Sequence, residues 1–373
     1  MKSSTSKKTV DPAVSQLDFV MRDPLAQWID RKAWSSLQAA LLAYLWALST
    51  SFLISIAAGT LLPRPGVRAL LGDGFYFISE TVTVFVVWMY YVWLCNSPKQ
   101  VLTKLEEGGT LQIRKDDLEA VKPILASRIP FLTASLLSVI AGGLYFYQYN
   151  GYGTVLWYNT KPIFVAIRTI LVIVPTAYVV GFVIVRSVVN TLVFRSLLRN
   201  VNVNPMHPDR AGGLLPLGQY ALRSTYVIAL GGMVAALAEY SLYTRGLLFT
   251  FHYFHIVILL YVIVAPLSFF APLGTARNAM LNAKNQLLLK ISKQFNADFS
   301  EAYQELEGSA EELKATIDKV EQLQRIQVLT ISFPVWPFDI ATLRRFSLTV
   351  SSPFVTIGLS ILTDMIKDAL TKG

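Results

Sequence analysis

Residues 37–58 read LQAALLAYLWALSTSFLISIAA, twenty-two positions without a single charged side chain. An uninterrupted apolar run of about 20 residues is what a helix needs to cross the hydrocarbon core of a bilayer. Five further runs of that kind follow at 75–95, 130–149, 162–185, 225–243 and 253–272. A seventh, 346–363, is apolar but rich in Ser and Thr and contains Pro353. The pattern predicts an all-α, polytopic helical membrane protein with six or seven transmembrane helices.

Composition agrees. Hydrophobic residues make up 53% of the 373-residue chain and charged residues only 15%, whereas soluble domains carry roughly 25% charged residues. The net charge of +9 comes from 33 Lys and Arg against 24 Asp and Glu. These basic residues lie between the apolar runs and form no continuous patch, which argues against nucleic acid as a partner. The single cysteine, Cys95, excludes an internal disulfide and an all-cysteine metal site. The residues before position 37 are polar or mixed, and the first apolar run is too long for the core of a secretory signal, so it is read as a retained span.

Orientation follows from the basic residues, which cytoplasmic loops retain. Counted from the N-terminus through each successive connecting segment, they number 6, 2, 6, 1, 5, 1 and 11, with Arg168 inside a span completing the 33. This alternation places the N-terminus in the cytoplasm, with the plasma membrane of a bacterium as the expected location. Trp28, Trp34, Trp157, Tyr158 and Trp336 fall at the expected interfaces.

The chain divides into a cytoplasmic N-terminus with an interfacial helix (1–36), a six-helix transmembrane domain (37–273), a cytoplasmic helical hairpin (274–331) and an amphipathic or seventh transmembrane helix (332–373). Asp23-Pro24 supplies an N-cap and a first-turn proline for the interfacial helix. Ser97-Pro98-Lys99-Gln100 reads as a capping box opening a short helix that stops at Gly108-Gly109. In the hairpin, Leu281, Leu288, Ile291, Phe295 and Phe299 recur at helical spacing, as do Leu313, Ile317, Val320 and Leu323, with Gly308-Ser309 as the turn. Their apolar stripes pack on each other, or else assemble a homo-oligomer or bind a cytoplasmic protein partner. Small-residue ridges at Ala134, Ser138 and Gly142 and at Gly232 and Ala236 predict close helix contacts.

Three constellations are candidates for chemistry. Glu80, Arg168 and Glu239 lie inside spans toward the outer side, and His252 and His255 open the sixth span there. Such charges cost on the order of 2–3 kcal/mol each on insertion scales, so they are expected to pair or face water. Structural pairing of Arg168 with a carboxylate, a polar vestibule and a metal site are the three readings. The second constellation is a hydroxyl stripe, Thr349, Ser352, Thr356, Ser360 and Thr363, along one face of the last span; it packs against a helix or lines a pore. The third is the cytoplasmic loop holding His207, Asp209 and Arg210 between two prolines and Gly212-Gly213, read as a structural elbow with a ligand loop as the alternative.

The function these features suggest is transport, through an oligomeric ion channel or pore lined by the last helix. A membrane-anchored scaffold acting through the hairpin is the alternative, and an intramembrane metal-dependent enzyme a second one. The leading reading is not an enzyme and needs no cofactor.

Overall fold

The structure is a computed structural model. It describes the chain apart from residues 1–16, 18, 20–22, 152–155, 199–200, 205–206, 210, 244–251, 305–309, 339–342, 353, 356–357 and 359–373. Its helices are α1 (Pro24–Arg31), α2 (Ser36–Ala58), α3 (Gly74–Glu80), α4 (Val87–Glu107), α5 (Lys115–Leu125), α6 (Ile129–Gly151), α7 (Pro162–Arg168), α8 (Val174–Leu197), α9 (Leu215–Tyr243), α10 (His252–Gln304) and α11 (Ala310–Ser332). Wide π-helical turns at Thr81–Val86 and Thr169–Ile173 join α3 to α4 and α7 to α8 without a break. Among the described residues there is no strand, and five helical stretches are long and apolar enough to cross a membrane: Ser36–Ala58, Gly74–Glu107, Lys115–Asn150 (α5 and α6 with a break at 126–128), Pro162–Leu197 and Leu215–Ala238.

Local sequence explains the helix ends. Asp23 caps α1 by accepting from the Leu25 amide at 3.1 Å, and Pro24 costs nothing where no amide partner exists. Ser35 and Gln38 form a reciprocal capping box on α2, at 3.2 and 2.9 Å.

Several helices outrun the apolar stretches that announce them. The second span continues to Glu107, so Pro98 lies inside α4 and the helix start expected at Ser97 does not exist. Proline cannot donate to the carbonyl four residues back, which here is Leu94. Asn190 Nδ2 from α8 approaches that carbonyl at 3.5 Å, and the helix carries on. The fourth span extends past 185 to Leu197, which turns Arg186 from an expected loop residue into a fully buried one. The stretch 253–272 and the first hairpin helix form one helix, α10, of 53 residues and about 80 Å. The expected turn Gly308-Ser309 lies outside the described residues. α11 lies beside α10, where Lys284 Nζ donates to the carbonyls of Ile331 and Phe333 at 2.6 and 3.2 Å. Helical residues 343–352 then run back along α10: Phe346 stacks on Phe269 at 4.1 Å, and Tyr261 donates to the Val350 carbonyl at 2.9 Å.

The small-residue ridges sit at these helix contacts. A methyl group on Gly181 would meet Ala134 Cα at 3.4 Å, and Gly142 faces Val174, so α6 and α8 approach closely. Gly232 faces the ring of Tyr261 where α9 meets α10. The main core gathers at the α1 end, with Leu94, Leu102, Leu105, Phe194, Leu197 and Leu217 enclosed; a smaller aromatic one lies at the opposite end around Tyr76, Tyr145, Trp157 and Tyr158. Large apolar side chains such as Leu53, Val139 and Ile170 point outward from the spans. That is the distribution of a chain whose solvent there is hydrocarbon.

Candidate functional site

Two buried polar layers occupy the interior, and both draw on the helices α3–α4 and α7–α8. The first lies near the end of the bundle away from α1. Glu80 closes α3 and Arg168 closes α7, and each is followed at once by a π segment. Their side chains approach to 3.7 Å, with Glu80 4% and Arg168 6% exposed. Three aromatic rings surround the guanidinium: Tyr158 at 4.5 Å, Trp157 at 4.9 Å and Tyr76 at 5.2 Å. Such faces attract a desolvated cation by about 2 kcal/mol or more. Thr60 Oγ1 fixes the Trp157 backbone by donating to its carbonyl at 2.8 Å, and Asp73 caps the helix that carries Tyr76.

The rings cover the faces of the guanidinium and leave its edges to be satisfied. Arg168 Nε and Nη1, Glu80 Oε1 and Trp157 Nε1 have no hydrogen-bond partner among the described residues, and neither do Thr160 Oγ1 and Gln148 Nε2 at the same end. Arginine does not deprotonate in proteins, so this is a permanent buried charge. Unsatisfied buried polar atoms of this kind are the ones that water or a polar solute hydrates.

The second layer lies at the α1 end. Asp23, 1% exposed, receives the phenol of Tyr178 at 2.5 Å and that of Tyr91, so one carboxylate from the N-terminal segment ties together α4 and α8. Arg186, fully buried, donates to the carbonyl of Phe19. One turn along, Asn190 Nδ2 also donates to Tyr220 of α9 at 3.2 Å, and Tyr220 stacks on Trp93 at 5.5 Å. The residues that carry this layer were legible only in part: Arg186 and Asn190 stand four apart, a helical spacing for two polar groups just beyond an apolar run.

The loop between α8 and α9 is organised by Asp209. Its carboxylate accepts from the amides of Ala211 at 2.9 Å, Gly213 at 3.1 Å and Leu215 at 3.3 Å, and His207 Nδ1 lies 2.7 Å away. Burial alone raises a carboxyl, but the amides of Ala211 and Gly213, the His207 ring and the Leu215 amide outweigh it and hold Asp209 below the usual carboxylate range. The acceptor capacity is taken up by the turn itself and by the start of α9. Gly213, at φ +89°, packs against the side chain of Thr110, where a β-carbon has no room. Arg210 lies outside the described residues.

The other candidates divide as follows. Glu239, His252 and His255 lie on α9 and α10, and their side chains are outside those described. Among the described residues no three His, Cys, Asp or Glu side chains gather as metal ligands. Thr349 and Ser352 are half-buried, and Ser352 Oγ donates to the Thr349 carbonyl at 2.9 Å. Leu348 and Val355 on the same helix are 60% and 55% exposed. Thr356, Ser360 and Thr363 lie outside the described residues. No family model, curated protein or solved structure matches the chain.

Proposed function

We propose that this chain is a multi-pass membrane transport protein that passes an ion or small polar solute along the seam between α3–α4 and α7–α8. One observation carries the reading: two polar layers lie inside the same two spans, with Glu80 and Tyr91 buried on one, and Arg168 and Arg186 buried and Tyr178 half-buried on the other. Charged groups inside a membrane helix cost up to about 2.5–3.5 kcal/mol each on insertion scales, the upper figure at its centre, so a bundle that only had to be stable gains little from them. The π segments behind Glu80 and Arg168 support the same reading, because such turns recur at functional sites and widen the helix there.

In this reading the apolar start of α10 is the sixth span and the helix that begins at 343 is the seventh. The basic residues support a cytoplasmic N-terminus in a plasma membrane, with α10–α11 projecting into the cytoplasm. The hydroxyl stripe that includes Thr349 and Ser352 supports a polar face on this seventh helix, and the outward Leu348 and Val355 meet lipid or a neighbouring copy in a homo-oligomer. Purified protein in liposomes is expected to conduct monovalent ions, and Glu80→Gln to lower the flux at least tenfold. Vesicles as tight as empty ones, tested with both cations and anions, would overturn the proposal.

A second reading has its own observation. Phe299, Tyr303 and Ile317, on α10 and α11 beyond the membrane, are 50% or more exposed, as a docking surface would be. If the protein is a scaffold, replacing these three by Ser abolishes its cellular role while Glu80→Gln is silent.

A further inference from the structure

Resting on the transport reading, we infer that the solute is a small monovalent oxyanion that docks on Arg168, and that Glu80 takes up a proton when the anion arrives. The contact between these two side chains is not a closed pair. At 3.7 Å it lies beyond hydrogen-bond distance, so the carboxylate balances the guanidinium by charge and ties down none of its N–H groups. Both side chains are nevertheless more than nine-tenths buried.

The surroundings of the cation select the partner it can take. Tyr76, Trp157 and Tyr158 close its faces, so a ligand meets it edge-on, in the plane of Nε and Nη1, and both of these lack a partner. Trp157 Nε1 is a further buried donor without a partner, and Gln148 Nε2 another at the same end; Thr160 Oγ1 can donate as well. Among the described residues here that lack a partner, groups that only donate outnumber the one that only accepts, Glu80 Oε1. Open donors around a permanent cation are the chemistry of an anion site, and oxygens in a plane match the N–H groups of a guanidinium.

Charge decides the rest. Glu80 and Arg168 cancel, so a monovalent anion would leave one net negative charge buried among the spans, a state that apolar surroundings penalise. Arginine does not give up its proton, and phenols are neutral near pH 7, so the group able to remove the excess is Glu80. A proton from water binds a Glu80 oxygen, Arg168 stays charged and is balanced by the anion, and the buried total returns to zero. The neutral carboxyl then has an O–H to donate. A divalent anion would keep one negative charge after the same step, so it is discriminated against.

The other titratable groups within reach of Glu80 are Tyr76 on its own helix and Tyr145 of α6, with Tyr158 across the guanidinium; α2 brings the Tyr44 phenol to Thr81 at 3.0 Å. α9 also packs on α3, and the side chain of its Glu239 is outside those described.

The test uses the full-length protein in detergent, in weakly buffered solution with sulfate as the other anion, and with helicity and elution volume as checks on folding. Formate and nitrate are each expected to raise the melting temperature and sulfate not to. Calorimetry counts the anions bound, and an indicator dye is expected to read one proton taken up for each. Glu80→Gln should bind both anions at least as tightly as the native chain and take up no proton. Trp157→Phe, which keeps a ring and removes the N–H, should weaken binding severalfold. No stabilisation of the native chain by either anion overturns the site. Binding without proton uptake, or equal uptake in Glu80→Gln, overturns the part given to Glu80. In liposomes a proton gradient is expected to make nitrate accumulate through the native chain, and Glu80→Gln to exchange nitrate across the membrane without accumulating it. Nitrate flux that no proton gradient drives overturns the coupling. Binding and proton uptake with no flux from any preparation defeat the transport reading and leave the anion site standing.

Discussion

Trp46 Nε1 of α2 donates to the carbonyl of Leu171 at 3.0 Å, and Leu171 is four residues before Pro175. The carbonyl that the proline leaves without an amide partner is thus satisfied from a neighbouring helix, inside the π segment where the backbone is already loosened. Asn190 plays the same part for Leu94 and Pro98. Two spans tolerate proline because two side chains elsewhere in the sequence complete them.

This makes a prediction about pairs of residues. Trp46→Phe is expected to lower stability by about 1–3 kcal/mol, the cost of leaving an outward-facing carbonyl unsatisfied in hydrocarbon. Restoring an amide with Pro175→Ala should recover part of that loss. Thermal unfolding of the two single variants and the double variant measures the coupling, and strict additivity would refute the compensation.

Removing one member of the Glu80–Arg168 pair should cost more than removing both. Glu80→Leu leaves Arg168 as an uncompensated buried charge, for which about 3–5 kcal/mol is typical. Glu80→Leu with Arg168→Met should regain most of it. Arg168→Lys should behave as a loss, because a compact ammonium cannot present a planar face to Tyr76, Trp157 and Tyr158 together. Melting temperatures in one detergent rank the variants; a Lys variant as stable as the native chain would contradict the caged geometry.

Asp209 gives the acid limb of stability a specific origin. Its carboxyl is held below the usual range in the folded chain, while unfolded it titrates near 3.9. The folded state therefore binds fewer protons, so the contribution is complete above about pH 4 and is lost as the pH falls through the folded value. Asp209→Ala should cost about 1 kcal/mol at neutral pH, as for a lost helix cap. It should also flatten the decline of stability below pH 4, read from melting temperature against pH; an unchanged slope would count against this assignment.

Gly213 is constrained twice, by its φ of +89° and by the side chain of Thr110. Gly213→Ala is expected to destabilise by about 1–3 kcal/mol from the backbone conformation alone. Thr110→Ala in the same chain should relieve the clash and leave the backbone penalty. A melting temperature for Gly213→Ala equal to that of the native chain would show that the turn can rearrange.

The apolar runs reveal the spans because hydrocarbon leaves a helix few alternatives, and Ser35 and Asp23 mark ends through local rules that travel with the sequence. The continuation of α4 through Pro98 was illegible, since the reason is Asn190, ninety-two positions later. Arg186 falls among the loop residues of the sequence for a similar reason: the carbonyl it donates to belongs to Phe19, 167 positions earlier. Glu80 and Arg168 stood out as charges in apolar surroundings, whereas Trp157 and Tyr158 read as interface anchors. A ring beside a loop turn gives no sign of which cation it will face. The polar layers depend on side chains meeting across the bundle, and such meetings leave no periodic trace in any one segment.

α10 has a consequence for motion. From Pro272 to Gln304 it extends 32 residues, about 48 Å, and beyond Met280, which the main core encloses, it runs on as one unbroken rod. With Pro266 and Pro272 as the points where such a rod bends most easily, it is a lever arm whose short end lies among the spans. A swing of about 10° at the prolines carries the far tip, and α11 with it, through roughly 8 Å. Rearrangements too small to see among the buried helices thus become displacements large enough for another molecule to read.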